Sequence, residues 1–144
     1  MIIRPLKLND YGAWRPLWAA YLEFYETSVV DTIYKLTFNR FISPEHPKQC
    51  NFVAEMGGDL VGIVRYIIHP HNWKAEEVLY LQDFFVQNGQ RDKGVGRALI
   101  EAVYKAADDQ GSPTVYSLTQ DFNRIARRLY DSIATVTPFI KYTR

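Results

Sequence analysis

The chain has 144 residues, of which 47% are hydrophobic and 23% charged, and its formal net charge is +1. This length predicts one domain, 1–144, that buries roughly 70% of its unfolded surface, and the composition excludes a disordered chain. A charge this close to zero provides no general basic field, so we expect no nucleic-acid partner.

Cysteine content and hydropathy indicate the cellular compartment in which the protein works. A single cysteine, Cys50, excludes a disulfide framework and a cysteine-based zinc site. No run approaches the ~20 apolar residues that span a bilayer, and the N-terminus lacks the apolar core of a signal peptide. We therefore expect a cytoplasmic protein with no membrane partner.

The first part of the chain predicts a strand and two helices. Residues Ile2 to Leu8 alternate as in a strand, and Asn9-Asp10 provides a helix cap signal. The next helix carries an aromatic and apolar stripe at helical spacing: Trp14, Leu17, Trp18, Tyr21, Leu22 and Tyr25. A second helix is predicted around Thr32 to Ile42.

The middle of the chain predicts three strands and a helix. Asn51 to Met56 and Leu60 to Ile68 are two strands joined by the tight turn Gly57-Gly58-Asp59. Val78 to Val86 has the β-branched and aromatic density of a strand buried on both faces. Gly94-Val95-Gly96 then opens a helix whose apolar positions recur at helical spacing.

The end of the chain predicts a strand, a helix and a last strand. The two strands are Thr114 to Thr119 and Ala134 to Tyr142, and the helix between them carries Ile125, Leu129 and Ile133 on its core face. The complete order of elements predicts a mixed α/β sheet covered by helices.

The glycines at the start of the third predicted helix indicate a phosphate site. Free backbone amides and the positive end of a helix attract phosphate, and glycine lets a pyrophosphate approach the backbone. Arg91, Lys93 and Arg97 add cations around Gly94 and Gly96. The alternative is an ordinary strand-to-helix turn with a solvated basic rim. The spacing fits neither a P-loop nor a dinucleotide fingerprint.

Two further groups of residues have both a functional and an ordinary interpretation. Tyr21, Tyr25, Glu23 and Glu26 suit a pocket for an organic cation, or else form core and solvated surface. Asn123 and Tyr130 lie seven residues apart on one stripe of the last helix, where an amphipathic tyrosine beside a core is the ordinary reading. Two histidines in the loop after Ile68, with no third ligand, do not predict a metal site.

Two segments together resemble the GNAT N-acetyltransferase superfamily. Arg91-x-x-Gly94-x-Gly96, directly after the strand Leu81 to Val86, is similar to its acetyl-CoA loop. Ser117 to Tyr130, which contains Asn-x-x-Ala-x-x-Leu-Tyr, is similar to its second signature. The resemblance implies a GNAT-type fold with a mixed, mostly antiparallel central sheet flanked by about four helices, and acetyl-CoA as cosubstrate with no metal.

The resemblance also implies roles for individual residues. In the family, loop amides grip the CoA pyrophosphate, the preceding strand pairs with the pantetheine arm, the Asn contacts that arm and the Tyr protonates the departing thiolate. Carried over, the cofactor-binding residues are Phe84, Phe85, Val86, Arg91, Asp92, Lys93, Gly94, Val95, Gly96, Arg97, Asn123 and Tyr130.

The aromatic pattern of the first helix, with Tyr80-Leu81-Gln82-Asp83, looks like the branch that includes histone- and polyamine-acetylating enzymes. Spermidine/spermine acetyltransferases have a Glu where this chain has Gln82, and a Gln cannot act as a base. The aromatic and polar residues at the end of the first helix, together with Gln82, predict an acceptor site at Tyr21, Tyr25, Glu26 and Gln82. The resemblance implies a homodimer, and the apolar end of the chain, Val136 to Tyr142, is a strand that could pair across the subunit boundary.

The resulting hypothesis is direct transfer of an acetyl group to a small-molecule or peptide primary amine, with Tyr130 as the general acid. The base that removes the amine proton is Asp83, or Glu23 or Glu26 through water, and a structural role for Asp83 stays open. One alternative is a CoA-binding sensor that transfers nothing. A second is a nucleic-acid binder that uses the cluster Arg124, Arg127 and Arg128.

Overall fold

The computed structural model describes residues 1–144 and shows one five-stranded sheet with helices on both faces. Its strands are β1 (Ile2–Pro5), β2 (Gln49–Met56), β3 (Asp59–His69), β4 (Val78–Val86) and β5 (Val115–Ser117). Its helices are α1 (Tyr11–Phe24), α2 (Asp31–Ile42), α3 (Val95–Asp109) and α4 (Arg124–Asp131), with a short 3-10 helix (Leu8–Asp10) before α1. None of these helices has the length and apolarity needed to cross a membrane.

The strands lie in the order β1-β2-β3-β4-β5. All neighbours are antiparallel except β4 and β5, which are parallel because α3 crosses over between them. The predicted hairpin between β2 and β3 is confirmed, and its Gly57 and Gly58 both have positive φ, as a two-residue turn of this hand requires.

A one-residue bulge interrupts β4 at Gln82. Arg65 of β3 is paired with Asp83 of β4, while the next residue of β3, Tyr66, is paired with Leu81. Gln82 therefore has no partner, and it gives β4 one residue more than β3 over this stretch. The pairing of β4 with β5 also ends at Leu81, opposite Ser117. Beyond that residue the two strands separate.

The helices cover the two faces of the sheet with separate cores. We call the face under α1 and α2 the front face, where Trp14 is fully buried and its indole Nε1 donates to Asn51 Oδ1 at 2.8 Å. The back face carries α3, with Leu99 and Val103 fully buried, and α4, whose Leu129 packs against the same core. The burial of these residues confirms the stripes predicted for α1 and α3.

Two predicted strands are shorter in the structure. β1 ends at Pro5 rather than Leu8, because the chain turns into the 3-10 helix. β5 ends at Ser117 rather than Thr119, because β4 no longer runs beside it.

The prediction of a last strand from Ala134 to Tyr142 is wrong. Residues 134–144 form neither helix nor strand, and Phe139 is 83% exposed. A strand is stable only when an edge pairs with it, and the sheet contains β1 to β5 alone. The core face predicted for α4 is also wrong at Ile125, which is 65% exposed.

Candidate active site

A cleft of about 800 Å³ opens where β4 and β5 separate. Its walls include the C-terminal end of α1 on the front face and parts of α3 and α4 on the back face, so the cleft passes through the plane of the sheet. Most residues predicted for the site line it: Tyr21, Tyr25, Gln82, Phe84, Phe85, Val86, Arg91, Asp92, Gly94, Gly96, Arg97, Asn123 and Tyr130. The predicted residues that do not line it are Glu26, Asp83, Lys93 and Val95.

One side of the cleft is the unpaired edge of β4. From Gln82 to Val86 this edge has β3 on one side and no strand on the other. Backbone N–H and C=O groups on an open edge form hydrogen bonds with an extended partner, as in strand addition. This edge therefore suits an extended ligand that carries amide groups.

The turn from β4 into α3 exposes the amides of a helix N-terminus. Gly94 precedes the helix with φ +77°, a left-handed conformation that favours glycine, and α3 begins at Val95. The first intrahelical bond to Gly94 comes from the Ala98 amide, so the amides of the residues between them have no partner within the helix. The Val95 side chain is buried, so only its backbone is available to a ligand.

Gly96 keeps the floor of this turn open. A Cβ atom at Gly96 would lie 2.9 Å from Cζ of Phe84 and 3.1 Å from Cδ2 of Leu129. Phe84 also lines the cleft, so any side chain at Gly96 would push it into the ligand space. A phosphate-bearing cofactor fits here because the backbone is bare and the pocket has no room for a side chain.

The cations beside the turn have different surroundings. Arg91 and Arg97 line the cleft, whereas Lys93 donates to Gln90 Oε1 at 2.9 Å. In the last-helix cluster, Arg128 lines the cleft and Arg127 is paired with Asp121.

Tyr130 lies on α4 at the back of the separation between the strands. Its ring is half-buried and meets the edge of Phe84 at 6.5 Å between centroids. Burial raises the pKa of Tyr130 to about 12, against a lowering contribution from the Ser117 side chain. The phenol is therefore protonated at neutral pH, which is the form that a proton donor needs.

Asn123 has a structural role that the sequence did not reveal. It is the N-cap of α4, and its Oδ1 accepts a hydrogen bond from the Ala126 amide at 3.2 Å. This bond fixes the start of the helix that carries Tyr130. The side-chain amide of Asn123 stays available to the cleft that it lines.

A buried ion pair lies beneath the front side of the cleft. Arg65 of β3, only 4% exposed, donates to Asp83 of β4 at 2.6 Å. Its guanidinium lies over the Trp18 ring at 4.2 Å. Burial lowers the pKa of Arg65, while the Asp83 carboxylate opposes that change. Burial and the charge of Asp83 together raise the pKa of Tyr21.

Sequence reasoning missed Arg65. The available signal was a charged residue within the apolar run from Leu60 to Ile68, since a cation in a buried strand needs a partner. The pair gives Asp83 a structural role, because a buried cation that loses its counter-charge is strongly destabilising.

The two glutamates predicted beside the acceptor lie elsewhere. Glu23 and Glu26 line a separate cavity of about 640 Å³ between α1 and α2. Glu26 is exposed and has φ 55°. The structure also contains no group of three His, Cys, Asp or Glu side chains with the geometry of a metal site.

Comparisons with known proteins identify the family. The chain matches the model of the acetyltransferase (GNAT) family over residues 14–134. It is 37% identical to the D-amino-acid N-acetyltransferase HPA3 of Saccharomyces cerevisiae, over 100% of this chain and 90% of that one. The protein therefore belongs to the GNAT acetyltransferase family.

Solved structures have the same fold. The ribosomal-protein-alanine N-acetyltransferase of Brucella melitensis has a TM-score of 0.81 at 22% identity, over 100% of this chain and 99% of that one. AAC(6')-Iy in complex with the bisubstrate analogue CoA-S-monomethyl-acetylneamine has a TM-score of 0.87 at 20% identity, over 99% of this chain and 96% of that one.

These findings confirm the predicted family and the GNAT-type sheet flanked by four helices. They also confirm the prediction of an acetyl-CoA-dependent acetyltransferase. The narrower resemblance to histone- and polyamine-acetylating enzymes stays a prediction.

The bare floor at Gly96 leads to a first prediction. Gly96→Val should raise the KM for acetyl-CoA about tenfold, which corresponds to about 1.4 kcal/mol, because the new side chain displaces Phe84. Steady-state kinetics and calorimetric titration with CoA measure the change. Gly12→Ala in α1 is the matched control, since its Cβ would meet nothing within 4 Å. An unchanged KM in Gly96→Val would remove this turn from cofactor binding.

The buried pair leads to a second prediction. Asp83→Asn should lower the free energy of unfolding by about 3 kcal/mol, because it leaves the Arg65 cation buried without a counter-charge. Urea unfolding measures the loss. The double variant Arg65→Met/Asp83→Leu should recover most of it, since it removes both charges, and full stability of Asp83→Asn alone would contradict the structural role.

A base role for Asp83 would change the pH dependence of activity in Asp83→Asn, whereas a structural role would not. The activity of folded Asp83→Asn would then recover as the pH rises towards ~10, where a free alkylamine deprotonates by itself. A rate ratio to wild type that stays constant with pH would leave Asp83 with the structural role alone.

Proposed function

We propose that this protein transfers an acetyl group from acetyl-CoA directly to the primary amine of a small molecule, with Tyr130 as the general acid. The observation that carries the proposal is the cleft through the sheet, which has a protonated phenol on its back side and an open front side. Its yeast relative is a D-amino-acid N-acetyltransferase, which supports a small amine as the acceptor.

The donor side is the back of the cleft. Acetyl-CoA supplies the activated acetyl thioester. The free amides at Gly94 and Gly96, with Arg91 and Arg97, would hold its phosphates, and the open edge of β4 would pair with its extended amide-bearing arm.

The acceptor side is the front of the cleft. Tyr21, Tyr25 and Gln82 line it there, and we retain them as acceptor-binding residues. Asp83 lies on the front face beside Gln82, held by Arg65, and we propose that it removes the amine proton through a water molecule. Glu26 would act only at a distance, by attracting a cation to the neighbouring cavity.

Direct attack is supported by the position of the single thiol. Cys50 lies on β2, two strands away from the cleft. Burial raises the pKa of Cys50, so its thiol stays protonated and is a poor nucleophile. Transfer without a covalent enzyme intermediate then requires both substrates in the cleft together.

A sensor that binds CoA without transferring its acyl group is the weaker candidate. Such a module needs no proton donor, whereas Tyr130 is half-buried within the cleft itself. The single cysteine and the net charge of +1 support our proposal of a cytoplasmic enzyme that binds no nucleic acid.

Tyr130→Phe tests the general acid. The turnover number should fall about a hundredfold while the affinity for CoA is nearly unchanged, because only the proton donor is lost. In the wild type, raising the pH to 10, the ordinary tyrosine pKa, should not remove this proton, since burial raises the pKa of Tyr130 to about 12. Rapid-quench turnover and CoA titration measure both quantities.

Tyr104→Phe is the matched control, because Tyr104 is also a half-buried tyrosine on the back face but does not line the cleft. Equal turnover in Tyr130→Phe and wild type would exclude Tyr130 from the chemistry.

We also propose that the protein forms a homodimer through residues 134–144. Four large apolar side chains in this segment are 73% to 88% exposed: Val136, Phe139, Ile140 and Tyr142. A contiguous apolar segment of this kind is typical of a surface that a partner covers, and a second copy of the chain is the partner always present.

The dimer proposal predicts that Phe139→Asp/Ile140→Asp is a monomer, because the two carboxylates cannot be buried in an apolar interface. Light scattering after gel filtration compares it with the wild type across a concentration series. Leu8→Asp, at an exposed apolar residue of the short 3-10 helix before α1, should stay dimeric. A monomeric wild type at every concentration would contradict the dimer.

A further inference from the structure

An aromatic pair lies on the front face, beside the end of the cleft and outside both cores. Tyr80 of β4 and Tyr116 of β5 stack with their ring centroids 4.9 Å apart and their planes 10° from parallel. Neither ring belongs to the core under α1 and α2 or to the core under α3. Tyr116 is 40% exposed. We call this pair the aromatic shelf.

The bulge at Gln82 brings the shelf to the acceptor side. Residues three apart in a regular strand, such as Tyr80 and Asp83, point to opposite faces. Here their partners on β3 are Ile67 and Arg65, which are two residues apart and share a face, so the shelf and Asp83 share it as well. Burial raises the pKa of Tyr80, and the charges of Tyr116 and Asp83 add to the increase, which agrees with their proximity.

A hydrogen bond fixes the orientation of the shelf. The Tyr116 hydroxyl and His69 Nε2 are 2.8 Å apart, and His69 Nδ1 is 2.8 Å from the Pro70 carbonyl oxygen. A carbonyl only accepts, so Nδ1 carries the proton and Nε2 accepts from the Tyr116 hydroxyl. The ring of Tyr116 is therefore held in place although the sheet face around it is open.

The shelf lies within reach of an acceptor bound at the cleft. Tyr80 precedes Gln82 by two residues, which is about 7 Å along a strand. That distance is comparable to the reach of an amino-acid side chain from its own amine. A ligand whose amine lies beside Gln82 and Asp83 is therefore close enough to place its side chain against the two rings.

We propose that the aromatic shelf is the acceptor side-chain subsite, and that it selects α-amino acids with aromatic or large apolar side chains. This inference rests on the proposed function, since it places the acceptor amine at the front of the cleft. Because the two rings stack on each other, the exposed pair presents ring edges, which pack edge-to-face against another ring and discriminate little among small polar side chains. Tyr80 and Tyr116 thereby become specificity residues.

The competing explanation is structural. Cross-strand aromatic pairs stabilise strand pairing, and β4 and β5 share only three paired positions. A purely structural pair would affect every acceptor equally. A subsite affects only acceptors with side chains large enough to reach it.

A panel of acceptors tests the inference. The wild type, supplied with acetyl-CoA, is assayed with both enantiomers of phenylalanine, tyrosine, leucine, alanine and serine. We expect kcat/KM about tenfold higher for phenylalanine than for alanine of the same hand. Tyr116→Ala and Tyr80→Ala should remove this preference by raising the KM for phenylalanine, with the values for alanine and the KM for acetyl-CoA unchanged.

Two further variants make the test specific. Tyr116→Phe keeps the ring and loses only the bond to His69, so it should retain most of the preference. Leu8→Ala removes an exposed apolar side chain beside the opposite edge strand and should leave the whole profile unchanged.

The outcomes separate the subsite from the chemistry. Acetylation of the amino acids with no preference for phenylalanine overturns the subsite alone, and so does an equal loss for every acceptor in Tyr116→Ala. Failure of the wild type to acetylate any amino acid of the panel overturns the subsite, and failure with simple alkylamines as well overturns the proposed function. If a variant does not fold, the wild-type ratio of kcat/KM for phenylalanine to that for alanine still tests the subsite.

Discussion

The organisation of the site depends on one extra residue in β4. Because Gln82 has no partner on β3, the alternation of β4 side chains between the two faces shifts by one residue there. Tyr80 and Asp83 therefore lie on the same face of the sheet. The pairing with β5 ends one residue earlier, so the edge of β4 beyond it is open. A regular strand in this position would place Tyr80 and Asp83 on opposite faces.

The front face is stabilised at this point by charge rather than by apolar packing alone. Arg65 is buried under α1, stacked on Trp18 and paired with Asp83. Well-packed apolar residues of the same volume are often at least as stable as such a pair, so stability alone does not account for it. Its location beside the proposed acceptor side would let it orient the carboxylate that we propose as the base.

Local patterns in the sequence predicted most of the elements and the donor side of the site. Helix and strand periodicities identified β2, β3, β4, α1 and α3, and the glycine spacing identified the turn at Gly94 and Gly96. These features are local, because each depends on the conformation of adjacent residues. The bulge was not predictable, since it is a relation between the registers of β3 and β4 rather than a pattern within either strand.

The other wrong or missed predictions also depend on how distant parts of the chain are arranged. Residues Ala134 to Tyr142 have the composition of a strand, but an extended segment becomes a strand only when an edge is available to it. Ile125 matches the spacing of Leu129 on α4, yet it faces the mouth of the cleft rather than the core. The pairing of Arg65 with Asp83 required both the register and the face of two strands.

The passage of the cleft through the sheet has a consequence for how the two substrates enter and the two products leave. In the proposed reaction, cofactor and amine would approach from opposite sides of the single sheet, so neither would block the entry of the other. CoA and the acetylated amine would then each leave from the side of the sheet on which acetyl-CoA and the free amine entered.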